Sequence, residues 1–300
     1  MKDDAHSDSP RIGLALGGGG ARGCAHIGVI NGLEEAGIPI HCVAGTSIGS
    51  VMGAVYSAGD WKEFTSYLLK IKWNDVIRHF DPVIPKRGFF DGEKIKTLLK
   101  DVIPDPDFRS CRIPFAATAT DLYSGREVIL KTGDMIEAIR ASISIPGIFT
   151  PARIGKRYLV DGGVINPLPV TVARRLGADI VIAVDLNHHF IREKRSAMKF
   201  YGKKSWLDKL APTRPNILDV IENSVFLMQD QLTKNTIEKH PPEFLIRPAL
   251  HSAGIFDFHK AKSMIEEGRR KIQPVIPEIL QRLQDRTASE RGVVHESRLP

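Results

Sequence analysis

Residues 11–59 read RIGLALGGGGARGCAHIGVINGLEEAGIPIHCVAGTSIGSVMGAVYSAG. The apolar run 11–17 reads as a buried strand, GGGARG (18–23) as a glycine turn, and 24–36 as a helix closed by Gly37. The same order then repeats. Residues 39–44 (PIHCVA) read as a strand, GTSIG (45–49) as a turn, and 48–58 as a helix stopped by Gly59. Strand, glycine turn and helix, twice within fifty residues, indicate parallel βα units and therefore an α/β fold class.

Outward from this stretch the pattern loosens and then returns. Residues 60–110 scatter Trp61, Phe64, Trp73, Phe80, Phe89 and Phe90 among Pro and Lys, with one clear helix over 91–102 and Asp91 as its expected cap. Residues 112–122 and 126–131, joined by Tyr-Ser-Gly, read as an antiparallel pair. Residues 133–142 read as a helix, and Pro146 and Gly147 stop its extension. A hairpin is expected over 152–163 with its turn at Gly155-Lys156, then a helix over 167–178 entered through proline and a buried strand over 179–186. A long helix (216–239), a strand (244–248) and a last helix (257–284) complete the chain. With no internal repeat and no linker, 11–285 is read as one domain. Residues 60–110 are a candidate lid or insertion and 187–215 a basic loop; the polar stretches 1–10 and 286–300 are expected to be disordered tails.

Hydrophobic residues make up 42% of the 300 and charged residues 26%, an ordinary globular balance. The polar start MKDDAHSDSP lacks the apolar core of a signal peptide, and no apolar run reaches the ~18 residues of a spanning helix. Cys24, Cys42 and Cys111 are an odd number without metal-ligand spacing, which favours a reducing compartment. The expected location is cytoplasmic, at most peripheral at the inner membrane face. The net charge of +7 favours anionic partners. No reader motif supports nucleic acid. The basic run REKRSAMKFYGKK (192–204) is read either as a solvated loop or, with Phe200, Tyr201 and Trp206, as an anchor on an anionic membrane surface.

Gly18, Gly20 and Gly23 satisfy G-x-G-x-x-G between a strand and a helix, the dinucleotide-binding context. That fingerprint also needs an acidic residue at the end of the second strand. Here the strand runs into GTSIG, and Glu34 and Glu35 lie on the intervening helix. The other reading points the glycine N–H groups at an oxyanion, with Arg22 adding positive potential or, alternatively, serving a surface or structural salt bridge.

Within GTSIG, Gly45 and Gly49 flank Ser47 as a nucleophile elbow requires, and the N–H of Ile48 faces the same developing charge. An elbow serine usually has a histidine later in the chain. His188, His189, His240, His251 and His259 are late enough, yet none sits in a glycine-marked loop after a strand, and His26 reads as a satisfied helix residue. The better base is Asp161, which ends an apolar strand (YLVD) and precedes Gly162 and Gly163. An aspartate titrates near ~3.9 in water, and desolvation raises it to where it can accept the serine proton. A turn aspartate holding its own loop is the plainer alternative.

Together and in this order, GGGARG, GTSIG and DGG resemble the patatin-like phospholipases. ASISIPGIFTP (141–151) resembles the segment between elbow and aspartate in that family, and FDFHKAKSMIEEG (256–268) is similar to its small bacterial members. The resemblance implies a three-layer α/β/α sandwich with a mainly parallel sheet and a Ser47–Asp161 dyad working without histidine, metal or cofactor. It also implies an oxyanion hole from the N–H groups of Gly18, Gly19 and Gly20, and acyl esters of lipids as substrates. Residues 60–110 would then form an acyl-chain wall or a satellite core. A regulatory protein that keeps the fold without catalysis is the competing class.

Overall fold

A computed structural model describes residues 10–72, 90–188, 217–250 and 253–285. The basic run 192–204 and the aromatic residues Trp73, Phe80 and Phe89 lie outside the described residues, as do both tails apart from Pro10.

The two expected βα units stand side by side as β1 (Ile12–Leu16), α1 (Cys24–Glu35), β2 (Cys42–Thr46) and α2 (Ile48–Ala58). β1 and β2 are parallel, with Leu14 beside Val43 and Leu16 beside Gly45. The second strand starts and ends later than the expected 39–44. Pro39 has no N–H to give to a ladder, and pairing continues through Gly45 to Thr46, so the strand delivers its last residue directly to Ser47.

Alternation along the strands makes the layers. Ile12, Leu14 and Leu16 of β1 share a core with α1, α2 and the later helix Ala261–Ile272, whereas Ala15, Cys42 and Ala44 face the opposite side against Val170–Arg175. Bulky residues on one face and small ones on the other, with helices against both, give an α/β/α sandwich. Gly28 and Gly268 permit the closest approach: a Cβ at either would stand 1.9–2.0 Å from the facing helix's carbonyl oxygen.

The sheet is built further by β3 (Phe115–Asp121), β4 (Glu127–Leu130), β5 (Ala152–Ile154), β6 (Arg157–Asp161), β7 (Ile180–Val184) and β8 (Phe244–Ile246). Hydrogen bonding links β5-β6-β3-β2-β1-β7-β8 in that order, with β4 also on β3. The expected antiparallel pair and the hairpin turning at Gly155 both form.

One detail of register positions the site. Ala117 and Thr118 pair with both β2 and β4, and Ala119 and Thr120 with both β4 and β6. A strand has two edges, so β2 and β6 share one edge of β3 and meet end to end. Thr118 is opposite Thr46, and the next residue, Ala119, is opposite Asp161. Ser47, which follows Thr46, and Asp161, 114 positions apart in sequence, therefore arrive as neighbours at a gap in the sheet.

Several local expectations are corrected. Residues 60–72 contain a regular helix, α3 (Trp61–Lys70), capped by the Asp60 carboxylate on the Glu63 N–H. Its signal was masked by the irregular sequence that follows. Asp91 is not the cap of α4 (Glu93–Val102): Gly92, at φ 80°, holds that place, and the Asp91 carboxylate accepts from Thr150 Oγ1 instead. α5 (Met135–Ser142) agrees with expectation, and α6 (Val170–Arg175) is shorter than 167–178. α7 (Ile217–Lys239) is the long helix. The last helix divides into α8 (Ala261–Ile272), a 3-10 turn Gln273–Val275 around Pro274, and a helix over 276–285, since proline supplies no N–H.

Candidate active site

Ser47 sits at the turn from β2 into α2 with φ 54° and ψ −126°, and is the one non-glycine residue at positive φ among the described residues. Such a backbone costs roughly 1–3 kcal/mol and persists only where its surroundings enforce it. Here they do. A Cβ at Gly45 would stand 2.3 Å from the Gly49 carbonyl oxygen, and one at Gly49 2.1 Å from that of Leu16. The Ser47 N–H is taken by Ser142 Oγ at 2.9 Å, and its carbonyl by Ser50 Oγ at 2.6 Å.

The side chain points across the gap between β2 and β6. Ser47 Oγ donates to Asp161 Oδ2 at 2.5 Å, and the other carboxylate oxygen accepts from the Gly163 N–H at 2.7 Å. The Asp161 backbone is held at both ends, its N–H by Ser144 O and its carbonyl by Thr120 Oγ1. Gly162 and Gly163 let the chain turn tightly past Thr118 and Gln229, where a Cβ would meet side-chain atoms at 2.3 Å. Asp161 is 1% exposed, and burial pushes its pKa up to about 6 against the opposing pull of the Ser47 and Gly163 bonds. A carboxylate with its pKa near neutrality can hold or release a proton there.

The glycine loop lies beside this pair. Gly18 packs on Ser47, but its N–H is already given to Pro167 O at 3.1 Å, so the expected Gly18 contribution to an oxyanion hole is withdrawn. Among the described residues no acceptor takes the N–H groups of Gly19, Gly20 or Ile48. Gly23 permits contact with Ile48, a Cβ there meeting its side chain at 2.3 Å. Arg22 is not on the surface: it is fully buried, its Nε donates to Gly19 O at 3.1 Å, and its guanidinium lies 4.3 Å from the centre of the Phe226 ring. It braces the loop from behind.

The family model described as patatin-like phospholipase matches residues 14–174, from β1 past Ser47 and Asp161 into α6. The chain belongs to the patatin-like phospholipase family. An NTE family protein of Mycobacterium tuberculosis is 39% identical over 214 residues, 71% of this chain and 59% of the relative. Human patatin-like phospholipase domain-containing protein 6 is 36% identical over 206 residues, 61% of this chain and 14% of the relative. The chain thus corresponds to only part of each. Among solved structures, VipD from Legionella pneumophila aligns over 91% of this chain and 67% of its own, with TM-score 0.47 and 13% identity. Human GIVD cytosolic phospholipase A2, in complex with methyl gamma-linolenyl fluorophosphonate, aligns over 97% and 61%, with TM-score 0.42 and 12% identity.

In this patatin-like chain, among the described residues, Ser47 Oγ donates to Asp161 and not to a histidine. His240 and His259 are exposed, and His189 and His251 lie outside the described residues. His26 is fully buried with its Nε2 donating to Gly17 O at 2.9 Å, and burial lowers its pKa to about 4, so it is a neutral prop for the glycine loop.

Sequence reasoning missed the residues that hold the pair. Ser142, the last residue of α5, and Ser144, two residues beyond it, touch Ser47 and Asp161 respectively. Arg140, 4% exposed, donates to Ser144 Oγ, to Asp91 O and to both oxygens of Thr150, tying the start of α4 to the same corner. The alternation of serine with apolar residues in ASISIPG was their only trace in the sequence.

An apolar cavity of about 140 Å³ opens at Ser47 and runs along α2 past Ile48, Val51 and Met52. Its walls come from α3 (Phe64, Leu68), α4 (Ile95, Leu98) and the segments holding Phe149 and Ile255.

The raised pKa of Asp161 has two consequences. As a base, it should make kcat/KM for a soluble ester rise with pH through an apparent pKa near 6 and level off above it. For stability the sign is opposite. The folded state holds the Asp161 proton more tightly than the unfolded state, so stability falls as pH rises from ~4 through the folded value. Asp161→Asn removes that loss. Its Tm relative to the parent should be higher at pH 8 than at pH 4, with a ceiling of about 3 kcal/mol at ~1.4 kcal/mol per tenfold change in proton affinity. Equal Tm differences at both pH values would contradict the assignment.

Proposed function

We propose that this chain is a serine acyl hydrolase that cleaves carboxylic esters of lipids through a Ser47–Asp161 dyad. The observation that carries the reading is the 2.5 Å bond from Ser47 Oγ to a buried carboxylate at the mouth of an apolar cavity. Ser47 Oγ attacks the ester carbonyl while Asp161 takes its proton. The carbonyl oxygen, now negative, is received by the N–H groups of Gly19, Gly20 and Ile48 in a site shielded from water. Arg22 keeps Gly19 in place and contributes positive potential. Asp161 returns the proton to the leaving alcohol, and water then releases the acid from Ser47.

The cavity selects the acyl side of the substrate. Its depth along α2 and its walls of Ile, Leu, Met and Phe suit a hydrocarbon chain, which gains about 0.8 kcal/mol per buried CH₂. This gives residues 60–72 and 90–102 a role as the acyl wall rather than only as satellite core. The polar end of the lipid stays outside, toward the C-terminal ends of the parallel strands. There β3 runs three residues beyond Thr118, and the tips of the β3–β4 and β5–β6 hairpins expose Leu122, Tyr123 and Tyr158 beside Arg126, Arg153, Lys156 and Arg157. Aromatic and cationic groups together fit the headgroup level of an anionic lipid surface.

A panel of lipid esters tests the reading. Turnover should be faster with long-chain esters carried in anionic vesicles than in zwitterionic ones, and salt should narrow the difference. Leu98→Trp, which narrows the cavity, should lower kcat/KM for a p-nitrophenyl palmitate about 10-fold relative to the butyrate. No ester turnover by the parent, or an equal effect on both chain lengths, would count against it.

A further inference from the structure

The chemistry above leaves the deacylating water without a holder, and α7 supplies one. A second, smaller lobe adjoins Ser47 on the side of Asp161, lined by Gly19, Gly20, Ser47, Asp161, Phe226 and Gln229 among others. The space open to the centre of a water molecule there is about 10 Å³, about what a single water needs, provided that two or more polar groups face it.

Gln229 is 5% exposed and sits on a helix whose neighbouring Phe226 packs on Arg22. Its amide is oriented from behind: Asn187 Nδ2 donates to Gln229 Oε1 at 3.2 Å, and the Asn187 N–H is fixed on Asp185 Oδ1 at 3.1 Å. Nε2 is thereby turned toward Gly163. It lies 2.3 Å from the point a Gly163 Cβ would occupy, and Asp161 Oδ1 lies 2.9 Å from the same point. Gln229 and Asp161 are therefore close to each other, and both line the small lobe beside Ser47.

We infer that Gln229 is a positioning residue for the water that hydrolyses the acyl-enzyme. The inference rests on the dyad reading above. The water accepts a hydrogen bond from Gln229 Nε2 and donates one to Asp161. Its oxygen attacks the acyl carbon, its proton passes to Asp161, and the oxyanion forms again on the glycine loop. Collapse breaks the bond to Ser47 Oγ, which recovers the proton from Asp161, and the carboxylic acid leaves. Acylation does not use this water, so loss of the amide acts on the second half of the reaction.

Gln229→Leu is the test, read with a p-nitrophenyl ester in stopped flow. The expected result is a burst of nitrophenol of about one per enzyme followed by a steady state ~10–100-fold slower than the parent's. KM should fall with kcat, kcat/KM should stay within ~3-fold, and the acyl group should appear on the Ser47 peptide by mass spectrometry. Labelling of Ser47 by a fluorophosphonate at the parental rate shows that the variant is folded with a working nucleophile; should it not label, Gln229→Met is read in the same way. Asn187→Ala, which frees the amide without removing it, should give a smaller effect of the same kind. Parental deacylation, or an equal fall in kcat and kcat/KM with no burst, overturns the inference. Turnover retained by Ser47→Ala would instead overturn the dyad reading beneath it.

Discussion

Ser47→Ala and Asp161→Asn are each expected to lower ester turnover by at least ~10³-fold while leaving the fold intact. Ser47→Ala removes the only atom that, among the described residues, bonds to the Asp161 Oδ2 oxygen, and leaves a small apolar group in its place. Asp161→Asn is nearly isosteric, and the amide can still accept from Gly163 and donate to Ser47 Oγ. It cannot take a proton. Its loss of activity therefore isolates base catalysis from geometry. The double variant should be no worse than the weaker single, because nucleophile and base act as one unit. Losses that multiply would mean that the two residues act independently.

Gly49→Ala is expected to be among the most destabilising single changes in the chain, at about 3 kcal/mol or more, measured as a fall in urea midpoint at constant m. The added methyl would meet the carbonyl oxygen of Leu16 at 2.1 Å and its carbon at 2.6 Å. Both are backbone atoms of a central strand paired on each edge, so neither can move aside. Gly37→Ala provides the comparison. Gly37 also has a positive φ, 68°, but nothing lies within 4 Å of its Cβ position, so only the conformational cost of about 1 kcal/mol is expected. Equal effects at the two positions would show that the elbow is less constrained than its contacts imply.

The fold was legible where one residue type dictates one geometry. Glycines after apolar runs marked both βα units, and the hairpin at Gly155 and the strand ending in Asp161 followed from alternation and turn chemistry. The meeting of Ser47 and Asp161 was legible because both sit at strand ends with glycines beside them. Supporting contacts were less so. The unused N–H groups of the glycine loop depend on which carbonyl the Gly18 N–H meets, and Pro167 lies 149 residues away. Arg22 has the composition of a surface residue and is buried because the ring of Phe226 covers it. Arg140 and Gln229 occupy ordinary helical positions, and their roles exist only once α5 and α7 are placed beside the gap between β2 and β6. Long-range pairing, not local pattern, brings those residues to the site.

The most direct test of the central claim is the pH dependence of covalent labelling by a fluorophosphonate, with the modified peptide located by mass spectrometry. The label should fall on Ser47, with a rate that rises through an apparent pKa near 6 in the parent and is lower by at least ~10²-fold in Asp161→Asn. Labelling elsewhere, or at an undiminished rate in Asp161→Asn, would contradict a serine activated by that carboxylate.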